Sequence, residues 1–336
     1  MFFTLFYFSI FAINNGSMKE QSLAISSYQP TEIIEAPIST TEITRHFIDS
    51  QDVKASSKQL YTRTLRQYFN WIASRGLQHG DITRKEVIQY KEDLLAGGYS
   101  PLTVGGYLTV VRKFYAFAEA NKYYYNVAKE IKTPKKRQIF EKETLTLVES
   151  ANLNTYVKEN KSSRDYAIVN LIQATGLRTI EVVRANIEDI TIRNGKRVLL
   201  VHGKGRDSKD QVIVLTDTAY KPIAEYLNNY RQKAKNNEAL FISASRNNKG
   251  QRLTTRFISG LVKEGLQKIG LDDRRYTAHS LRHTVGTLLY AKTGRIDQVQ
   301  IALRHSSPTT SQIYARKAIE IANIENNPLE LLEGLF

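Results

Sequence analysis

The stretch IALRHSSPTTSQIYAR, residues 301–316, sets a histidine, His305, nine positions before a tyrosine, Tyr314, with a Ser/Pro/Thr turn between them. The chain has 19 tyrosines, so Tyr314 taken alone reads as one more ring on an amphipathic helix. Its company argues otherwise. The segment ATGLRTIEVVRANIEDI carries Arg178 just after Gly176-Leu177, and the turn HGKGRDSKD carries Lys204. In TAHSLRHTVGTLLY, His279 and Arg282 stand three apart and so share a helix face. What remains is a set of cations, histidines and one tyrosine.

Several chemistries are absent. No phosphate-binding glycine loop and no Asp/Glu cluster with metal-ligand spacing occurs. His279 and His283 have the i, i+4 spacing of a helical zinc pair, but Ser280 stands where the glutamate of such a pair belongs. His283 itself reads as a buried helical histidine. Neither a metal nor another cofactor is expected. The chain has no cysteine, which excludes disulfides, thiolate metal sites and cysteine nucleophiles, and fits a reducing cytoplasm. The formal net charge of +15 calls for a polyanionic partner, nucleic acid first and an anionic membrane surface second.

The elements that must position these residues fall into two domains. Residues 1–40 read as a flexible lead-in. Its apolar start, MFFTLFYFSIFA, is too short to span a bilayer and lacks the basic start of a secretory signal. Translation from Met18, or a cloning scar at Gly16-Ser17, would leave residues 1–17 outside the native chain. Over residues 41–128 the periodicity is helical. Leu65, Tyr68, Phe69 and Ile72 fall on one face, as do Val104, Leu108, Val111, Tyr115 and Ala118. Thr83 with Glu86 forms a capping box, Gly97-Gly98 ends that helix, and Ser100-Pro101 opens the next. About four helices are expected, with Lys and Arg outward. Residues 129–139 form a basic, proline-containing linker.

Residues 140–336 begin with helices, one of them around Tyr166–Ala174. Asn194-Gly195 is a hairpin turn between ITI and VLLV, and HGKGRDSKD separates VLLV from VIVL. Helices are expected to resume at Thr216 and to continue to the end. The expected fold class is therefore mainly α with a small antiparallel β-sheet.

Taken in order, GLRTIE, the hairpin GKG, HSLRHT and LRHSSPTTSQIY resemble the tyrosine recombinase (phage integrase) family, over about residues 41–336. The short lead-in favours its simple, Xer-like, two-domain form. The resemblance implies a helical core-binding domain followed by a mixed α+β catalytic domain, the two clamping duplex DNA. It implies a site-specific recombinase with Tyr314 as nucleophile, forming a covalent 3′-phosphotyrosine and a free 5′ hydroxyl. Such an enzyme serves mobile-element integration and excision or replicon dimer resolution. With no metal to gather charge, Arg178 and Arg282 would stabilise the phosphorane-like transition state. Lys204 would give a proton to the leaving oxygen, with Arg206 and Lys209 as rivals for that role. His279 would accept the tyrosine proton, His305 would bond a phosphate oxygen, and Glu181 would orient its neighbours.

The family pattern carries glycine before the histidine at the 305 position; here it is Arg304. A positive φ at that point would strain an arginine, whose cation is otherwise placed for a phosphate contact. The resemblance also implies a homo-tetramer in which the C-terminal helix, with its apolar stripe Leu329, Leu332, Leu335 and Phe336, is exchanged between protomers; docking on its own domain is the alternative. A type IB-like topoisomerase and a non-catalytic DNA-binding regulator are the alternative readings.

Overall fold

The computed structural model describes residues 39–78, 81–135, 142–202, 208–327, 329, 330 and 333. The chain divides into two compact units, residues 1–138 and 139–336. In the first, α1 (Thr40–Ser50), α2 (Ala55–Ser74), α3 (Arg84–Ala96) and α4 (Pro101–Ala120) surround an aromatic-rich core. Their starts are set locally. Ser39 with Glu42 and Thr83 with Glu86 close capping boxes, and Ser100 caps α4 ahead of Pro101. Leu65, Tyr68 and Ile72 of α2 face Val104, Leu108, Val111 and Tyr115 of α4 within that core, while Phe69 is half-buried against it. The Tyr68 and Tyr115 hydroxyls satisfy each other at 3.1 Å, so two polar tips are buried without an orphan. Arg63, Arg66 and Lys85 remain exposed.

The second unit packs α5 (Leu147–Asn160), α6 (Ser163–Thr175), α8 (Asp217–Tyr230) and α9 (Thr255–Lys268) into one core, with the short α7 (Thr179–Arg184) beside them. Strands β1 (Ile190–Arg193), β2 (Lys196–Val201) and β3 (Gln211–Val214) form an antiparallel sheet in the order β1-β2-β3. Asn194 and Gly195 both have positive φ, 49° and 72°, the requirement of a two-residue hairpin turn whose twist matches the strands. Three further helices, α10 (Ala278–Thr293), α11 (Ile296–Leu303) and α12 (Pro308–Glu325), complete the unit.

Pro222 lies inside α8 and has no N–H for the carbonyl of Thr218; the Asn170 side chain of α6 donates to that oxygen instead, at 2.8 Å. One bond thus repairs a helix defect and joins two helices.

The helices expected to run unbroken from Thr216 are interrupted. Between α8 and α9 the chain makes turns and two isolated bridges, Asn186 with Ala239 and Ile242 with Arg252. The physical reason is composition: KNNE and SRNNKGQ place turn formers where a helix needs an apolar stripe. Arg252 fastens this segment by donating to the carbonyls of Val183 and Ala185 and to the Asn186 side chain. Among the described residues no helix is long and apolar enough to cross a membrane.

Candidate active site

Three chain segments meet at the candidate site: the α6–α7 junction, the first turns of α10, and the turn from α11 into α12. The junction depends on Gly176, which ends α6 in the left-handed conformation with φ 62°. A side chain there would also collide with Leu303, whose Cδ2 lies 2.6 Å from a built Cβ. Arg178 follows as the N-cap of α7. Glu181, one turn on, takes both its backbone N–H and its guanidinium, each at 2.8 Å.

Helix α10 turns an unusually polar face inward. Ser280, Arg282, His283, Thr284 and Thr287 are all buried. Arg282 is 1% exposed and donates through Nη1 to the carbonyl of Gly176 at 2.5 Å and through Nη2 to that of Leu303. Burial first, then the Arg178 charge, lowers its pKa to about 10, so it stays cationic at neutral pH.

Tyr314, on α12, is 1% exposed. Its ring stacks on His305 with centroids 5.7 Å apart and meets His283 at 5.3 Å. Burial raises the phenol pKa, and the charge and hydrogen bonding of Arg282 work against that rise. His305 is fixed by Ser311, whose hydroxyl sits 2.9 Å from Nδ1, and by its backbone N–H, which donates to the Gln300 carbonyl at 3.0 Å. Burial, and then the charges of Arg282, Arg178 and Arg304, push its pKa down to about 4. His283 is pushed to about 3 by burial and then by His279. His279 keeps a solvent-exposed surface, yet loss of solvation and the charges of Arg282, Arg178 and Lys142 hold it below its ordinary value. All three imidazoles are therefore held below their ordinary range, which favours the uncharged ring.

Arg178, Glu181, His279, Arg282, His305 and Tyr314 thus gather in one region. Lys204 and its rival Arg206 lie outside the described residues. The other rival, Lys209, is committed to Asp189, a buried carboxylate it meets at 2.6 and 2.8 Å. Arg304 does adopt positive φ, 56° with ψ 48°, at a cost of about 1–2 kcal/mol for a side chain. It offers no free cation to a phosphate: its buried guanidinium pairs with Glu181 at 3.0 Å. Leu329 is exposed, and Leu332, Leu335 and Phe336 lie outside the described residues.

Two further residues, Ser311 and Gly286, shape the site. Ser311, fully buried, orients His305, and a serine six places after a histidine carries no signal for that. Gly286 was legible in principle, because a glycine inside a helix costs about 1 kcal/mol relative to alanine and asks for a reason. The reason is contact: a Cβ there would stand 2.7 Å from Tyr314 Cδ1 and 2.8 Å from Leu303 Cδ1. Gly286→Ala is expected to lower stability by about 1–3 kcal/mol and to displace the Tyr314 ring. A melting temperature equal to wild type in a thermal unfolding scan would contradict this packing.

Residues 140–320 match the Phage integrase family, and residues 45–122 match the Phage integrase, N-terminal SAM-like domain. The chain belongs to the phage integrase family. Among curated relatives of this integrase-family chain, the tyrosine recombinase XerC of Caldanaerobacter subterraneus is 34% identical over 206 residues, 60% of this chain and 54% of the relative. The chain thus spans about half the length of that relative. The tyrosine recombinase XerA of Pyrococcus furiosus is 28% identical over 295 residues, covering 85% of this chain and 96% of the relative. Among solved structures, the XerH site-specific recombinase bound to palindromic difH substrate, a post-cleavage complex, shares the fold with a TM-score of 0.69. It is 21% identical, with 87% of this chain and 85% of that one covered.

Proposed function

We propose that this chain is a site-specific DNA recombinase that cuts and rejoins DNA strands through Tyr314. The observation that carries the reading is the burial of Tyr314 against His283 and His305, under the charges of Arg282 and Arg178, with Arg282 acting on its hydroxyl. A structural tyrosine needs one hydrogen-bond partner, not a cluster of buried cations.

The chemistry balances without an energy source. The Tyr314 oxygen attacks a phosphodiester, a P–O bond to tyrosine forms, and the P–O5′ bond breaks. His279 takes the phenol proton, and Lys204 supplies one to the departing 5′ oxygen. Arg178 and Arg282 hold the non-bridging oxygens as negative charge gathers there, and His305 bonds one of them. Reversal with the 5′ hydroxyl of another strand completes the exchange.

The net charge of +15 and the exposed cations of the first unit suit the phosphate backbone of double-stranded DNA. A cysteine-free chain acting on cellular DNA belongs in the cytoplasm. The assembly reading is a homo-tetramer joined by exchange of the C-terminal segment. Its support is apolar surface left exposed at Ile319, Ile324 and Leu329. Integration, excision and dimer resolution all use this chemistry.

The test is to incubate the protein with a randomised pool of nicked duplexes, whose short fragments diffuse away after cleavage and trap the intermediate. A denaturation-resistant protein–DNA adduct, mapped by peptide sequencing to Tyr314, is expected. DNA binding without any adduct would make the chain a non-catalytic DNA-binding regulator.

A further inference from the structure

Arg304 lies between the two residues that build the site from the α11 side. Leu303 gives its carbonyl to Arg282, and His305 stacks on Tyr314. The backbone at Arg304 is left-handed, a conformation that glycine adopts freely and arginine does not. Its side chain is 6% exposed and is held by two bonds, Nη1 to the Ala302 carbonyl at 2.7 Å and Nη2 to Glu181 at 3.0 Å. A strained backbone and a buried cation are both costly, and glycine would avoid both. What Arg304 gains is its partner.

Glu181 is 4% exposed, and the Arg178 guanidinium donates to its other carboxylate oxygen. Arg178 and Glu181 by themselves cancel in charge. With Arg304 the cluster returns to one net positive charge, and the carboxylate is gripped from α7 and from the 303–305 turn at once.

We propose that Arg304 is a positioning residue for strand cleavage: its buried ion pair with Glu181 ties the 303–305 turn to the start of α7 and leaves the charge of Arg178 available to phosphate. Its effect passes through Glu181, Leu303 and His305; Arg304 itself touches no substrate. The inference rests on the recombinase reading of Tyr314.

Its test reads the single-turnover rate of adduct formation on nicked duplex across pH, in R304M, R304K, E181Q and the E181Q/R304M double variant. R304M is expected to cleave roughly 10- to 100-fold more slowly, the scale of a misplaced reacting group. R304K, which keeps the charge, restores part of the rate. The pH profile separates positioning from packing. Arg304, Arg178 and Arg282 face the Glu181 carboxyl and hold it ionised against burial. Without Arg304 that carboxyl protonates at higher pH, so the acid-side loss of rate begins at higher pH in R304M. His305 also loses a repelling cation in R304M, and His279 titrates nearby. The diagnostic is therefore the part of the shift that vanishes when residue 181 is glutamine.

R304M and E181Q each within about twofold of wild type, the resolution of such rates, would overturn the proposal, as would an equal acid-side shift in R304M and the double variant. If R304M does not fold, R304Q decides, because it removes the cation and leaves the Glu181–Arg178 contacts in place: a slowed rate supports the proposal and a wild-type rate overturns it. A wild-type protein that forms no adduct overturns the recombinase reading instead.

Discussion

Tyr314→Phe will form no covalent adduct with nicked DNA while binding that DNA as well as wild type. The substitution removes one oxygen, the atom proposed to bond to phosphorus. The expected loss of cleavage is on the order of 10^4-fold or more, as for the removal of other covalent nucleophiles. The fold should be nearly indifferent. The ring keeps its stack on His305 and its contact at Gly286, and the lost hydroxyl interaction with Arg282 is worth about 1 kcal/mol. A melting temperature close to wild type and an unchanged binding isotherm are the controls. Equal adduct in both proteins would show that another residue is the nucleophile.

Arg282 is the second position where a large effect is expected, and here stability and chemistry fall together. Arg282→Ala leaves the Gly176 and Leu303 carbonyls without their donor and opens a cavity where a buried side chain stood. Breaking a buried charged hydrogen-bond set of this kind costs about 3–5 kcal/mol, enough to unfold much of a marginal protein. Arg282→Lys separates the two roles. An ammonium keeps the charge but cannot span two carbonyls and a phosphate with one planar fork. That variant should fold with reduced stability and cleave about 10^2- to 10^3-fold more slowly, the usual loss when a transition-state donor is removed. Chemical denaturation and single-turnover cleavage on the same preparations check both numbers. A lysine variant with wild-type rate would remove Arg282 from the phosphate site.

The local signals in the sequence were those that act over a few residues. The faces Leu65/Tyr68/Ile72 and Val104/Leu108/Val111/Tyr115 are buried because helical periodicity brings them together, and Asn194-Gly195 turns because both residues accept positive φ. The helix starts at Thr83, Ser100 and Thr216 follow from capping chemistry. What stayed hidden depends on distance in space. Nothing local says that Arg304 reaches Glu181, 123 residues away, or that Gly286 lies under Tyr314. The stretch between α8 and α9 carries turn formers in its sequence, but the bonds that fix its path run to distant carbonyls, as Arg252 shows. Arg178, Arg282, His305 and Tyr314 were found from motif order, and their three-dimensional meeting was implied by resemblance rather than by periodicity.

Arg282 also occupies an electrostatic position that its hydrogen bonds only begin to describe. Gly176 is the C-cap of α6, and Leu303 is the last residue of α11, so the guanidinium sits where two helices end. Each end presents the negative pole of its helix dipole. Among the described residues this buried cation donates to oriented peptide carbonyls, and Glu181 acts on it only through its charge. Fixed dipoles lower the energy of a charge without neutralising it. A phosphate arriving at the proposed site would therefore meet a cation held by dipoles, with Glu181 tempering its charge.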